Sequence, residues 1–125
     1  MRYRCLTNNP YIIKQFKEQV EPFEGSPLEL FMNVRTEIRK GFKLLTHPLT
    51  GAIGPYINPY KSVILDAQKS ALDADSLHLI EQAIAHTKGL LGDHAGCVWD
   101  AKSKLDFQYL DYDFVKRFFE GEISF

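Results

Sequence analysis

The sequence has few cysteines and no long apolar run, and these two absences exclude several classes of protein. Cys5 and Cys97 form no CxxC motif and have no His partner at metal-ligand spacing. Two isolated thiols in a chain long enough to bury its own core indicate a reducing compartment, not a disulfide scaffold. The first ten residues lack the apolar segment of a signal peptide, and no apolar run reaches the ~20 residues that span a bilayer. We therefore expect a cytoplasmic protein with no membrane partner.

The chain also lacks an excess of charge and the common cofactor fingerprints. Its net charge of -1 gives no basic surface for nucleic acid, so no nucleic-acid partner is expected. There is no GxGxxG after the first strand and no GxxxxGK[ST], and a Ser nucleophile elbow is absent as well. No HxxxH or Cys/His cluster indicates a metal site. We expect neither a cofactor nor a metal.

What is present is an alternation of short strands and amphipathic helices. Strands are predicted at residues 2–7, 42–46 and 61–65, with a weaker candidate at 20–24. Helices are predicted to start at Pro10, capped by Asn9, at the Ser26-Pro27-Leu28-Glu29 capping box, and at Asp73 or Asp75.

This order predicts a single α/β domain over residues 1–125. The expected fold is a three-layer Rossmann-like open sheet of about four mostly parallel strands, with helices on both faces. The direction of the fourth strand stays open, because no helix separates it from the third.

The last part of the chain is rich in aromatic residues. Half of all the aromatics fall in residues 99–125, and a terminal helix with Phe114, Val115, Phe118 and Phe119 on one face is predicted to end at Gly121. Residues 93–104 are predicted to be a linker. The segment 92–125 either packs on the core or presents a surface for a dimer or another partner.

Polar, proline-bearing turns follow the first three predicted strands, and a long loop rich in Gly and Pro lies between the third and fourth. In a parallel sheet these turns share the edge where open α/β proteins bind ligands, and the predicted order 2-1-3 places two of them beside a crevice. The candidate ligand-binding residues are Thr7, Asn8, Asn9, Ser26, Thr46, His47, Thr50, Gly51 and Lys61.

These side chains favour a small anionic or polar ligand, such as a carboxylate or a phosphate ester. The amide groups at two helix starts are hydrogen-bond donors, and Lys61 is a candidate anchor for an anion unless its side chain extends to the surface. His47 is a candidate acid or base, although a His after a strand is more often a turn residue bonded to a carbonyl.

Several short motifs resemble the GrdX-like family. They are TNNP, a capped helix ending in KG, LLTHPLTG, PYKSVIL and an LDADSL helix start, and they cover roughly residues 5–91. The resemblance implies a cytoplasmic accessory protein encoded with the selenium-dependent glycine, sarcosine and betaine reductases of amino-acid-fermenting anaerobes. It implies no assigned catalytic residues.

Three functions are consistent with these observations. The first is an accessory protein of the glycine reductase system that binds a small polar or anionic ligand at the carboxyl edge of the sheet. The second is a small enzyme acting on an acyl phosphate or an amino-acid derivative, with His47 as acid/base. The third is an interaction module that docks on a reductase component through its aromatic C-terminal helix.

Overall fold

The computed structural model describes residues 2–48, 59–93 and 100–121, which form a mixed α/β fold with a three-stranded sheet and four helices. The elements in chain order are β1 (Tyr3–Thr7), α1 (Pro10–Phe16), β2 (Glu21–Pro22), α2 (Pro27–Arg39), β3 (Ser62–Asp66), α3 (Ala74–Asp93) and α4 (Ala101–Phe119). A 3-10 turn at Lys17–Gln19 follows α1. None of the helices in these ranges is both long and apolar enough to cross a bilayer.

The predicted starts of α1 and α2 are confirmed. The Asn9 side chain accepts a hydrogen bond from the Tyr11 N–H, and Pro10 occupies the first helical position. Both hydrogen bonds of the capping box are present between Ser26 and Glu29. These caps satisfy amide groups that the first turn of a helix leaves without partners, and this local requirement is readable from sequence.

The sheet is mixed, and this corrects the prediction of mostly parallel strands. Its order is β2-β1-β3, and β1 is parallel to β2 but antiparallel to β3. The β1–β3 register runs from the Tyr3–Asp66 pair to the Thr7–Ser62 pair. The described residues therefore do not confirm the Rossmann-like sheet of about four parallel strands.

Residues 42–46, predicted as the third strand, form only an isolated bridge between Leu44 and Leu65. Leu45 N donates to Ile64 O, but Ile64 N bonds to the Thr46 side chain instead of returning the main-chain bond, which interrupts the ladder. This segment lies on the side of β3 that faces away from β1, so the prediction that it lies next to β1 is wrong. Antiparallel neighbours can be joined by a short connection, whereas parallel neighbours need a longer crossover.

Two apolar clusters use alternate side chains of the sheet. One cluster combines Leu6, Val63 and Leu65 with α2 and α3, and the other combines Cys5 and Ile64 with α1 and α4. The first includes Leu30, Phe31, Val34, Ile38, Ile80, Ala83 and Ile84, and the second includes Ile12, Val20, Val115 and Phe118. Successive strand residues point to opposite faces, so each face of the sheet is covered by helices.

Helix α4 begins at Ala101, within the predicted linker, so the linker prediction is wrong for residues 101–104. The Asp100 side chain accepts a hydrogen bond from Ser103 N at 2.7 Å and caps the helix. On the opposite end of α4, Phe118 makes an edge-to-face contact with Tyr3, and Phe119 makes one with Phe16. The aromatic face of α4 thus packs against β1 and α1.

Candidate functional site

Two buried hydroxyl groups meet where β1 ends and β3 begins. Thr7 and Ser62 are paired across the strands, and their side-chain oxygens lie 2.7 Å apart. Thr7 Oγ1 also accepts a hydrogen bond from Asn9 N at 3.0 Å, so the turn after β1 is held to the same pair. Both hydroxyls are buried and must find partners within the protein, because water is excluded.

Asp111 of α4 completes this chain of hydrogen bonds. Ser62 Oγ donates to Asp111 Oδ2 at 2.7 Å, and Asn9 Nδ2 donates to the same oxygen at 3.1 Å. The order of donors is therefore Asn9 N to Thr7, Thr7 to Ser62, and Ser62 to the carboxylate. Asp111 is buried because it lies on the apolar stripe of α4, one turn from Phe107 and Val115.

Lys61, the residue before β3, brings a second ionisable group into the interior. Lys61 is 1% exposed and Asp111 is 5% exposed. Burial lowers the pKa of Lys61 to about 8, and the Asp111 charge opposes this shift. Burial raises the pKa of Asp111 to about 6, while hydrogen bonds from Ser62 and Asn9 and the Lys61 charge act in the opposite direction. We call Thr7, Asn9, Lys61, Ser62 and Asp111 the polar cluster.

Asn8 holds three turns together at this end of the sheet. Its Oδ1 accepts a hydrogen bond from Lys61 N at 2.7 Å, and its backbone N donates to Lys61 O at 3.2 Å. Its Nδ2 donates to Gly25 O and to Pro59 O, both at 3.0 Å. The turn before α2 and the segment before β3 are therefore bound to the turn after β1.

The other predicted site residues have separate positions. Ser26 caps α2, the buried Thr46 accepts a hydrogen bond from Ile64 N, and His47 is exposed. The segment of Thr46 and His47 runs antiparallel to β3 and therefore in the direction of β1, which brings its end to the same end of the sheet as Asn8. Thr50 and Gly51 lie outside the described residues.

The polar cluster holds two ionisable side chains in the protein interior. An ammonium and a carboxylate in an interior of low dielectric interact strongly and respond to any further charge placed beside them. Among the residues that the structure describes, no group of three or more His, Cys, Asp or Glu is placed to hold a metal ion.

Two members of the polar cluster were missed in the sequence analysis. Ser62 lies within a predicted strand, and Asp111 is not among the candidate residues predicted from the sequence. A signal for Asp111 was present: extending the stripe of Val115 and Phe118 back by one turn places a carboxylate where an apolar residue is expected. Charged residues are rarely buried without a partner, so a carboxylate at such a position indicates a hydrogen-bonding or charged partner elsewhere in the chain.

The fold and the polar cluster define a small mixed α/β domain with ionisable groups buried at one end of its sheet. The chain matches the GrdX-like protein family over residues 4–120 and belongs to that family. The match extends beyond the motif region at residues 5–91 and includes α4, which supplies Asp111. Comparisons with curated proteins and with solved structures give no match.

Proposed function

We propose that this protein is an accessory protein of the glycine reductase system that binds a small anionic or polar ligand at the polar cluster. Membership of the GrdX-like family supports the association with that system. The burial of Lys61 together with Asp111 supports the binding site, and this pair is the observation on which the proposal rests.

The energetic reason is the cost of burying charge. Removing an ammonium or a carboxylate from water costs several kcal/mol per ion, and apolar residues of similar volume usually give a fold equal or greater stability. If Asp111 served only to hold α4 on the sheet, the apolar contacts of Val115 and Phe118 would be sufficient without it. Ionisable groups with displaced pKa values, grouped at a sheet end, are typical of functional sites.

The ligand chemistry follows from the donors available. The Lys61 ammonium attracts a carboxylate or phosphate group. The hydroxyl oxygens of Thr7 and Ser62, whose protons are already donated within the polar cluster, can each accept one further hydrogen bond from a polar ligand. Because Lys61 is 1% exposed, binding is coupled to local opening of the segments around it. We therefore expect slow association.

Calorimetric titration with phosphate, acetyl phosphate and glycine tests this proposal. At least one of these compounds should bind, and Lys61→Met should weaken its binding by tenfold or more. Lys69→Met is the matched control, since Lys69 is exposed and follows the end of β3 that is opposite to the polar cluster. The proposal is contradicted if none of the three compounds binds to the protein. It is also contradicted if folded Lys61→Met binds a compound as tightly as the wild type does.

A second candidate function is docking on a reductase component through α4. The aromatic residues at the C-terminal half of α4 pack inward, but Leu105, Tyr109 and Leu110 are each at least half exposed. Apolar side chains grouped on an exposed helix surface favour protein contacts.

Substitution of these three residues by Ser tests this function without disturbing the core. Truncation after Gly92 would be uninformative, because it would remove Asp111, Val115 and Phe118 from the interior. Pull-down of purified reductase components should be lost in the triple Ser variant and retained in a control with Lys102, Lys104 and Lys116 changed to Ser. Retention by the triple Ser variant excludes this surface.

A further inference from the structure

A cavity of about 510 Å³ opens at the end of the sheet opposite to the polar cluster. Its lining includes Arg2, Tyr3, Leu45, Asp66, Ala67 and Gln68. Tyr3 pairs with Asp66 at one end of the β1–β3 register, whereas the polar cluster lies at the Thr7–Ser62 end. The volume falls in the range of small-molecule sites. We call this space the Arg2–Asp66 cavity.

The cavity has one cationic and one anionic side chain in its lining, and the two do not pair with each other. Among the described residues, the ion pairs within 4.0 Å involve neither Arg2 nor Asp66. Arg4, two residues along the same strand, contrasts with Arg2 because it contacts both Glu21 and Glu37 at 2.8 Å.

Backbone groups fix the main chain at Arg2 and the orientation of the Asp66 carboxylate. Ala67 N donates to Arg2 O at 3.2 Å, which fixes the turn after β3 against the start of β1. Asp66 Oδ1 accepts a hydrogen bond from Gln68 N at 2.8 Å, and this contact orients the carboxylate. The Arg2 guanidinium carbon lies 5.8 Å from the centre of the Tyr3 ring.

Apolar groups complete the lining. Leu45 is held at the outer side of β3 by the hydrogen bond from its N–H to Ile64 O. The Tyr3 ring is fixed by an edge-to-face contact with Phe118, whose ring centre is 5.1 Å away. Leu45 and the Tyr3 ring thus supply apolar surface within a lining that is otherwise largely polar.

We propose that the Arg2–Asp66 cavity binds a small zwitterion, whose carboxylate pairs with Arg2 and whose ammonium pairs with Asp66. A simple anion would be attracted by Arg2 and repelled by Asp66. A simple cation would be attracted by Asp66 and repelled by Arg2. A zwitterion satisfies both groups, and its intervening carbons contact Leu45 and the Tyr3 ring. This site is separate from the polar cluster and does not depend on it.

Titration of the full chain, followed by NMR, with glycine, 4-aminobutyrate and 6-aminohexanoate tests the proposal, with butyrate and butylamine as singly charged analogues. The three zwitterions differ in the distance between their charges, so the best one also measures the spacing of the site. At least one zwitterion should bind tenfold or more tightly than both analogues. Equal binding of an analogue, or no binding by any zwitterion at 10 mM, would overturn the proposal.

Two conservative variants locate the site. Arg2→Gln and Asp66→Asn should each weaken binding of the best zwitterion by about tenfold, since a hydrogen bond between charged groups contributes more than one between neutral groups. Asp66→Asn keeps an oxygen that can accept from Gln68 N, so the turn is preserved. Lys14→Gln and Glu18→Gln are the controls, because both residues are exposed and neither is part of the cavity lining.

The same variants separate this proposal from the proposed function. Lys61→Met should leave zwitterion binding at the Arg2–Asp66 cavity unchanged, and Arg2→Gln should leave binding at the polar cluster unchanged. Unaltered zwitterion binding in both Arg2→Gln and Asp66→Asn would overturn the assignment of the ligand to this cavity.

Discussion

Ser62 Oγ donates a hydrogen bond to Asp111 Oδ2 at 2.7 Å, joining two residues that are 49 positions apart in the chain. The bond connects the first residue of β3 to the middle of α4. Since Asn9 donates to the same carboxylate oxygen, the start of α1 is tied to α4 as well. Asp111 thus adds hydrogen bonds from α4 to β3 and to the start of α1 beside the apolar contacts of the helix.

Removal of this carboxyl group should destabilise the protein. We expect Asp111→Ala to lower the free energy of unfolding by about 1–3 kcal/mol, because Ser62 and Asn9 lose a buried hydrogen-bond partner. Asp113→Ala is the control: Asp113 is exposed, and its contact with Arg117 is a surface pair worth less than about 1 kcal/mol. Urea denaturation measures both, and equal losses in the two variants would contradict the role given to Asp111.

The free energy of unfolding should also depend on pH because of the ionisable groups in the polar cluster. The pKa of Asp111 rises from an ordinary 3.8 to about 6 on folding, so the folded state binds the proton more tightly than the unfolded chain. This contribution is fully present below about pH 4 and is lost as pH rises to about 6. Relative to Asp111→Asn, the wild type should lose about 2–3 kcal/mol across that window.

Lys61 should act in the alkaline range. Its pKa falls from 10.5 to about 8 on folding, so the unfolded state binds more protons between these values and stability rises with pH there. Urea denaturation of wild type and Lys61→Met from pH 5 to 11 measures both effects. If the difference in free energy of unfolding between wild type and Lys61→Met does not change over pH 8–10.5, Lys61 titrates as an exposed lysine.

Two glycines should respond in opposite ways to substitution by Ala. Gly41, after α2, has φ +111, and a Cβ there would collide with the backbone oxygen of Ser70. We expect Gly41→Ala to cost about 2 kcal/mol or more, because both the strained conformation and the collision must be relieved. Gly89, in α3, has open space around its Cα, and Gly89→Ala should stabilise by about 0.5–1 kcal/mol. Thermal unfolding distinguishes them, and stabilisation by Gly41→Ala would contradict this description of the turn.

The enzyme hypothesis makes a distinct prediction for His47, whose side chain is exposed. If His47 transfers a proton during hydrolysis of acetyl phosphate, His47→Gln should abolish turnover and remove one ionisation from the pH–rate profile. His86→Gln, at an exposed position of α3, is the control. Turnover that survives in His47→Gln excludes it as the acid or base.

The local elements were readable from the sequence to different extents. The caps at Asn9 and Ser26 were predicted correctly because a helix start needs side-chain acceptors within three residues, and such patterns are local. The segment 42–46 was predicted as a full strand, since its composition suits one. It forms a single bridge because the Thr46 hydroxyl takes the hydrogen bond that would continue the ladder.

The candidate site was predicted in part. One end of the sheet brings together Thr7, Asn8, Asn9 and Lys61, as predicted. The prediction assumed parallel strands, however, whereas Lys61 reaches this end because β3 is antiparallel to β1. The apolar stripe of α4 places Asp111 on the buried face, but its hydrogen-bond partners could not be predicted, because they lie far from it in the chain. Its partners come from β3 and from the turn before α1.

The sequence by itself determined where α1 and α2 begin, which faces are apolar, and which family the motifs resemble, because hydrogen-bond caps and side-chain periodicity act over a few residues. Only the tertiary structure decided the direction of β3, the burial of Lys61 and the contact of Asp111 with Ser62. These depend on which segments of the chain become neighbours, and that choice is made by the packing of the whole domain.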